Sequence, residues 1–373
     1  MMRDGLRILI VGGGIGGMSC AIALSGHHTV ELIDLDPHWR AYGTGITIQP
    51  ATFRAFVQLG VAKDVLAAGY AAKGTRFRLV DGTLINEFRI DGGTPGFPAS
   101  GGIMRPVLHD ILSRKTLAKG VPVRLGLTIA KLREEPSGVT VRFTDGSAGE
   151  YDLIIGADGV HSKVRSMIFP GAPQPFFTGQ GAFRTLAPRP PDFDVIEIYL
   201  GDIVKPGITP VSQDQVYMFT LTPEPSADYL DASQQLRRLR EALRGFGGMI
   251  GQIRDTLTPE TQTVYRPLEA LLLDRPWHSG RVILIGDAVH ATTPQLASGA
   301  CCALEDGLLL AEYLDTRATL ERDLVAFTDR RFDRCRDVVE SSVEIGRLEL
   351  SRAPSDELTA VYTQAMTRLA EPA

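Results

Sequence analysis

Residues Leu6–Asp34, LRILIVGGGIGGMSCAIALSGHHTVELID, decide how the rest of the chain is read. The branched apolar run Ile8–Val11 enters Gly12-Gly13-Gly14-Ile15-Gly16-Gly17, an apolar helical pattern follows, and a second short strand closes on Asp34. That order is a βαβ unit with a glycine turn. Gly12 permits the tight turn, Gly14 lets backbone approach a pyrophosphate, and Gly17 allows the helix to pack closely on the strand. Ile15 and Gly16 open the helix, whose free N–H groups and positive dipole end face the phosphates. A carboxylate at Asp34 accepts hydrogen bonds from both hydroxyls of an adenosine ribose and repels a 2′-phosphate. Glycines also serve ordinary turns, but here strand, helix and acid all stand in their places, which favours dinucleotide binding. The motif alone does not separate NAD from FAD, because both carry an ADP moiety.

The chain has 373 residues, 44% of them hydrophobic, enough for two domains or one large domain with insertions. A net charge of −5 offers no basic patch for a phosphate backbone, so nucleic-acid binding is set aside. Ile8–Leu24 is apolar but holds five glycines and begins almost at Met1 without a cleavage site, which disfavours a signal peptide or a membrane span. Cysteines 20, 301, 302 and 335 show neither a metal-ligand spacing nor a disulfide framework, so reduced thiols, a cytoplasmic location and no metal are expected. The adjacent Cys301-Cys302 falls in an apolar helical run and reads as small buried filling.

Beyond the first unit, Asp36–Pro50 is a Gly- and Pro-rich loop carrying Arg40 and the turn Gly43-Thr44-Gly45-Ile46. A helix is expected over Ala51–Leu59, a hairpin over Arg76–Ile90 with its turn at Asp81-Gly82, and a flexible loop over Asp91–Gly102. Arg105 opens a helix, Val121–Leu125 reads as a strand, and Gly138–Thr144 with Glu150–Ile155 reads as a second hairpin. Gly179–Pro267 is a β-rich stretch with one amphipathic helix through Leu236, Leu239 and Leu243. Arg281–Gly286 returns to the buried parallel-strand pattern, a helix follows over Ser298–Asp315, and Leu320–Leu350 is a long charged helix. The fold expected is α/β: a Rossmann-like domain with an inserted β-rich substrate domain and a long C-terminal helix. Its division is 1–72, 102–178 and 270–373 for the nucleotide-binding domain, and 73–101 with 179–269 for the substrate domain.

Two further strand ends carry chemistry. Asp287 follows a strand and Gly286, where a carboxylate accepts a hydrogen bond from a sugar-alcohol hydroxyl on the far half of an extended cofactor. Pro294–Ala300 brings a helix N-terminus to the same edge; if a flavin ring sat against it, the dipole would stabilise negative charge on the reduced ring by about 0.3–1 kcal/mol or somewhat more.

With these elements in order, the chain resembles the single-component flavin-dependent (class A) aromatic hydroxylases of the para-hydroxybenzoate hydroxylase type. The resemblance rests on the glycine unit ending in Asp34, on Arg40 with GTGI at 43–46, on Arg105, on GADGVHSKVR at 156–165 and on GDAVHATTP at 286–294. It implies FAD held by Gly12, Gly14, Ile15, Gly16, Gly17 and Asp34, with Arg40, Gly45, Ile46 and Arg105 reaching the cofactor. It links Asp158, Gly159 and Arg165 to FAD and NAD(P)H, gives Gly286 and Asp287 the ribitol, and lays Pro294, Gly299 and Ala300 along the isoalloxazine. It also implies NAD(P)H as co-substrate without its own Rossmann unit, in keeping with the single glycine fingerprint. The reaction implied is hydroxylation of a small electron-rich aromatic or N-heteroaromatic by NAD(P)H and O2, through a C4a-hydroperoxyflavin, in a monomer or homodimer. The GTGI loop and the short C-terminus also resemble hydroxylases acting on quinolone or pyridine rings. One departure stands out: family members carry Gly-x-Gly after the proline, and this chain has Ala297-Ser298-Gly299.

On the substrate side the candidate catalytic residues are Arg184, Tyr199 and Tyr217. Arg184 either meets a substrate oxyanion or pairs with a nearby acid, and each tyrosine either donates its O–H into a pocket or fills core. His290 reads as structural, since the resemblance gives it no catalytic part. No histidine lies between Gly179 and Pro267, so deprotonation of a phenol by a histidine of that stretch is disfavoured. Two competing readings remain open: an FAD enzyme of another type, a dehydrogenase or an epoxidase on a non-aromatic substrate, and a non-catalytic flavin-binding protein.

Overall fold

A computed structural model describes residues 5–41, 43–89, 98, 100–316 and 319–373. The leading unit is β1 (Arg7–Val11), α1 (Ile15–Leu24) and β2 (Thr29–Asp34). Next come β3 (Gly45–Ile48), α2 (Pro50–Gln58), α3 (Ala62–Ala68), β4 (Tyr70–Ala72) and the hairpin β5 (Gly74–Leu79) with β6 (Leu84–Arg89). Proline opens α2 and Gly60, at φ +67°, ends its turn. Of the loop expected over Asp91–Gly102, residues 91–97 and 99 lie outside the described residues, as does Ile90. Its last three residues belong instead to β7 (Ser100–Met104), a strand against expectation. A side chain at position 102 would collide with Thr209, so glycine there serves close packing rather than loop flexibility.

The chain continues through α4 (Arg105–Ala118), β8 (Val123–Leu125), β9 (Ile129–Glu135), β10 (Gly138–Phe143), β11 (Ala148–Tyr151), β12 (Leu153–Gly156) and α5 (Lys163–Ile168). The second hairpin is shorter than expected. It ends at Tyr151, and after Asp152 the chain leaves for another sheet, because Asp152 bonds the backbone of Arg7 from both its N–H and its carboxylate. Then come β13 (Phe176–Pro188), β14 (Ile196–Leu200), β15 (Lys205–Pro210), β16 (Gln215–Pro223), α6 (Ala232–Ala242), α7 (Gly248–Thr256) and β17 (Thr263–Ala270). Two helices, not one, therefore interrupt the β-rich stretch. The last third holds β18 (His278–Ser279), β19 (Val282–Leu284), the short α8 (Asp287–His290), a 3-10 turn at Pro294–Leu296, α9 (Gly299–Leu314), α10 (Leu320–Ser351) and α11 (Ser355–Ala370).

The first sheet runs β18-β19-β12-β1-β2-β8, and its five strands other than β18 are parallel. Strands β1, β12 and β19 are almost wholly buried, as a parallel sheet covered on both faces demands. Because they run the same way, their carboxyl ends bring the glycine turn, Asp34, the 156–159 loop and the 286–287 loop to one edge. Helices α1 and α9 cross in intimate contact: Ser19 Oγ donates to the Leu304 carbonyl at 2.8 Å, and a Cβ at Gly307 would sit 2.5 Å from the Cys20 nitrogen. All four cysteines are free and buried.

The second large sheet runs β17-β13-β16-β15-β14-β5-β6. On one face Phe183, Tyr199, Ile208, Val216 and Met218 pack under α6 and α7 against Leu239, Leu243, Ile250 and Ile253. The other face carries Ala182, Arg184, Tyr217 and Phe219, since strand side chains alternate. Across that face lies the small sheet β3-β7-β4, with Thr47 and Thr209 hydroxyls 2.9 Å apart. No helix among the described residues is long and apolar enough to cross a membrane.

Candidate functional site

At the carboxyl end of β1 the chain turns through Gly12, at φ +108°, where any Cβ would strike the Ala157 carbonyl. The Gly12 N–H donates to the Ile33 carbonyl at 2.8 Å, tying the turn to β2. Gly17 is equally confined, its α-carbon lying against the Gly12 carbonyl. Gly14 differs: nothing stands within 4 Å of a Cβ built there, and α1 has no side-chain cap. Free backbone donors thus face open space at a positive dipole end, a cradle for a diphosphate. Gly16 turns toward Ala303 of α9, so its α-carbon serves helix packing while its backbone belongs to the same first turn.

Asp34 is half-buried at the end of β2. Its Oδ2 accepts the Gly13 N–H at 2.6 Å and its Oδ1 the Asp36 N–H at 2.7 Å. These bonds fix the carboxylate beside the glycine turn. Trp39 donates its indole N–H to the Gly13 carbonyl at 3.0 Å and meets His109 edge-on, ring centroids 5.7 Å apart. His109 is buried; burial lowers its pKa, against a hydrogen bond to the Gly13 backbone and the pull of Asp34. Neither ring was singled out in the sequence. Arg40 is exposed and sits 3.7 Å from Asp36, at this same end.

Arg105 opens α4, four residues before His109, and its N–H donates to the Thr44 carbonyl at 2.8 Å. Gly43 lies against its side chain, and a Cβ at Gly45 would sit 2.5 Å from the Tyr217 ring. The 43–46 turn therefore threads between Arg105 and the inner face of the second sheet, with Ile46 following on β3. Arg105 is reached by solvent yet crowded by protein, as at the floor of a cleft. That desolvation lowers its pKa; Asp287 opposes it, and Arg184 adds to it, with Tyr217 also in range. Four residues from four distant parts of the chain thus share one electrostatic neighbourhood.

Gly286 holds φ +61° at the end of β19, and Asp287 after it is exposed to the cleft side. At Pro294–Leu296 the chain makes a single 3-10 turn and passes Ala297 at φ +50°, ψ +31°, a left-handed conformation that glycine adopts without cost. This is where the departure from Gly-x-Gly falls. Helix α9 then starts at Gly299-Ala300 without a side-chain cap, because Ser298 Oγ turns back to the Leu296 carbonyl at 2.8 Å. Gln295 ties this turn to the second sheet, donating to Gln180 Oε1 at 2.7 Å. Glu349 of α10 closes the join, accepting from Gln180 at 3.2 Å and from Lys205 at 2.6 Å.

Asp158 has a structural task besides the one expected of it: its carboxylate accepts from Ser162 Oγ, from the Lys163 N–H at 2.8 Å and from the Val164 N–H at 3.1 Å, capping α5 and shaping the loop under Gly12. Two expectations are corrected. Arg165 is 1% exposed and spans to the carbonyls of Ala288 at 3.0 Å and Val160 at 2.9 Å, bracing the 286–288 loop from inside. Tyr199 lies on the helix-covered face. Its O–H accepts the Met249 N–H at 3.0 Å and lies 3.3 Å from Glu197, which in turn pairs with Arg78 at 2.7 Å. It stands two residues along the strand from Glu197 and on the opposite face from Arg184 and Tyr217.

A buried network behind the 286–287 loop escaped the sequence reading. Asp306 of α9 accepts the Gly286 N–H at 2.8 Å, bonds His290 Nε2 at 2.7 Å and pairs with Arg331 at 2.8 Å; Arg331 also pairs with Glu305 at 3.0 Å. Burial works to raise the Asp306 pKa, but His290 and Arg331 overcome it and hold the carboxyl well below the usual range. His290, Asp306 and Cys335 come within 4.8 Å of one another, yet a fully buried guanidinium already occupies Asp306, which makes this an ion-pair network rather than a cation site. The only signal was the acid pair Glu305-Asp306 inside an otherwise apolar helix.

Comparison with known proteins bears on the same edge. The FAD binding domain family matches residues 6–342. YetM of Bacillus subtilis (strain 168) is 33% identical over 359 residues, covering 94% of this chain and 96% of that protein. The aurachin C monooxygenase/isomerase of Stigmatella aurantiaca is 30% identical over 357 residues, covering 93% and 90%. Among solved structures, Klebsiella pneumoniae HpxO complexed with FAD and uric acid superposes with a TM-score of 0.83 at 24% identity, covering 99% of this chain and 94% of that one. A glycine cradle open at Gly14, an acid at the second strand end and an uncapped helix facing the cleft are what an extended flavin nucleotide requires, and the chain belongs to the FAD binding domain family as an FAD-dependent monooxygenase.

Proposed function

We propose that this enzyme hydroxylates a small, electron-rich aromatic or N-heteroaromatic compound, consuming NAD(P)H and O2. Bound FAD supplies the redox and oxygen-activating chemistry; the protein's own work is to bind, orient and keep water out. Gly12, Gly14, Ile15, Gly16 and Gly17 would hold the diphosphate through backbone donors, and Asp34 the ribose. Arg105, the Gly45-Ile46 turn, Gly286-Asp287 and the Pro294–Ala300 segment would hold the flavin half, with Arg40 at the adenosine end. Substrate would sit between the start of α9 and the inner face of the second sheet. There the Arg184 guanidinium would take a substrate oxyanion or carboxylate in a charge-assisted bond, and Tyr217 would offer its O–H beside it. Phe219, next to Tyr217 at a centroid distance of 6.0 Å, lines the same face with apolar surface that excludes water.

The observation that carries this reading is that the 43–46 turn is packed between the Arg105 side chain and the Tyr217 ring, with Asp287 and Arg184 within electrostatic reach of the same guanidinium. The test is to screen aromatic acids and heteroaromatics for faster NAD(P)H oxidation by the yellow purified enzyme, and to trace oxygen from 18O2. A product carrying one labelled oxygen is expected. Oxidation of substrate without label would make the enzyme a dehydrogenase and overturn the proposal, as would NAD(P)H oxidation indifferent to every aromatic offered.

A further inference from the structure

Trp39 is an unusual residue in an unusual place. It is one of two tryptophans in the chain and adopts φ +47°, a left-handed conformation that a bulky side chain rarely takes. Part of the ring packs against the main core, and part remains open. Its indole nitrogen bonds the Gly13 carbonyl at 3.0 Å, and both that nitrogen and Asp34 Oδ2 flank the same Gly13 α-carbon, the carboxylate at 3.1 Å from a Cβ built there. His109 meets the indole at nearly a right angle, ring centroids 5.7 Å apart. The indole is thus held from two sides beside the carboxylate at the nucleotide end of the glycine turn, and Trp39 is half-buried.

We propose that Trp39 is an adenosine-binding residue, its indole forming an aromatic wall against the purine–ribose end of FAD beside Asp34. The chemistry is that of a planar, π-rich base meeting a fixed aromatic surface, which contributes affinity without regard to base-edge hydrogen bonds. The bond from the indole N–H to Gly13 preorganises the wall, so little rotamer freedom is lost when the nucleotide arrives. The inference rests on FAD lying along this sheet edge, and its test separates the adenosine end from the flavin end.

Holoenzyme and its Trp39→Ala and Trp39→Phe variants would be diluted and the released flavin measured. Trp39→Ala is expected to bind FAD roughly five- to a hundredfold more weakly, with Trp39→Phe retaining most of the affinity. FMN, which lacks the adenosine, would bind all three flavin-stripped chains equally. ADP, which absorbs no indole emission, would alter tryptophan fluorescence of the wild-type chain but not of Trp39→Phe, whose remaining indole, Trp277, is fully buried. Trp39→Ala holding FAD as tightly as the wild type would overturn the proposal. So would equal weakening of FAD and FMN, which would make Trp39 a prop for the glycine turn and no more. If the alanine variant fails to fold, the ADP response of the wild type against Trp39→Phe decides alone: an equal response in both overturns it.

Discussion

The two faces of the seven-stranded sheet are made by the same strands and have opposite fates. Phe183 and Arg184 are chain neighbours, as are Tyr217 and Met218. Yet Phe183 and Met218 vanish under α6 and α7, while Arg184 and Tyr217 look toward Arg105 and Asp287. The outer face is a packed core that encloses a polar island, Tyr199 with Glu197, Arg78 and the Met249 amide, bonded among themselves. The inner face keeps two guanidiniums and a carboxylate within reach of one another and open in part to solvent, whereas the outer face is closed over by helices and serves stability.

The strongest way to break this contrast is to alter neighbours on opposite faces. Phe183→Ala removes a 1% exposed ring tilted against Tyr265, centroids 4.8 Å apart, and is expected to cost about 3–5 kcal/mol, read as a fall in Tm or denaturation midpoint. Arg184→Ala should leave stability within about 1 kcal/mol, because Arg184 is half-buried on the cleft side. It should lower kcat/KM for an anionic aromatic roughly ten- to a hundredfold, the loss of about 1.5–3 kcal/mol from one charged hydrogen bond. Equal Tm losses in the two variants would erase the distinction.

A smaller effect sits in the alkaline limb. Burial first, and then Glu197 for Tyr199 or Glu224 for Tyr265, pushes both outer-face phenols up to about 12. In the unfolded chain they ionise near about 10. Raised folded values favour the native state fully below the unfolded pKa, and that advantage drains away as pH climbs through the folded one. Tm should therefore fall between pH 10 and 12, and Tyr199→Phe should fall less steeply while costing about 1 kcal/mol at neutral pH. An unchanged slope would place Tyr199 outside the core. Smallest of all, Ala297→Gly relieves the left-handed backbone beside the inner face and should stabilise by about 0.5–1 kcal/mol, measurable as a modest rise in Tm. A loss of stability would mean the alanine methyl is itself packed.

Much of the nucleotide edge was legible because its signals are local. A strand, a glycine turn, a helix and an acid occupy fixed offsets, and Arg281–Gly286 announces its strand by an unbroken apolar run. The substrate sheet was less so. Tyr199 and Tyr217 have similar apolar neighbours, and which face each takes depends on where α6 and α7 land, a tertiary fact. Helix α7 was invisible because Gly248 and Gly251 dilute its helical signal, and β7 because its Ser100-Gly101-Gly102 opening has the composition of a loop. The capping task of Asp158 was not legible because it depends on how α5 turns back after Ser162.

The second sheet is stitched from two separate lengths of chain, β5 and β6 at one margin and β13 through β17 for the remainder, and Glu349 near the end of α10 pins it through Lys205 and Gln180. Anyone grafting a relative's substrate specificity onto this enzyme must therefore transplant residues 74–89 and the distal turns of α10 along with 176–270. A cassette of the central segment alone would set a foreign β14 against this chain's own β5, strands whose facing side chains were never matched.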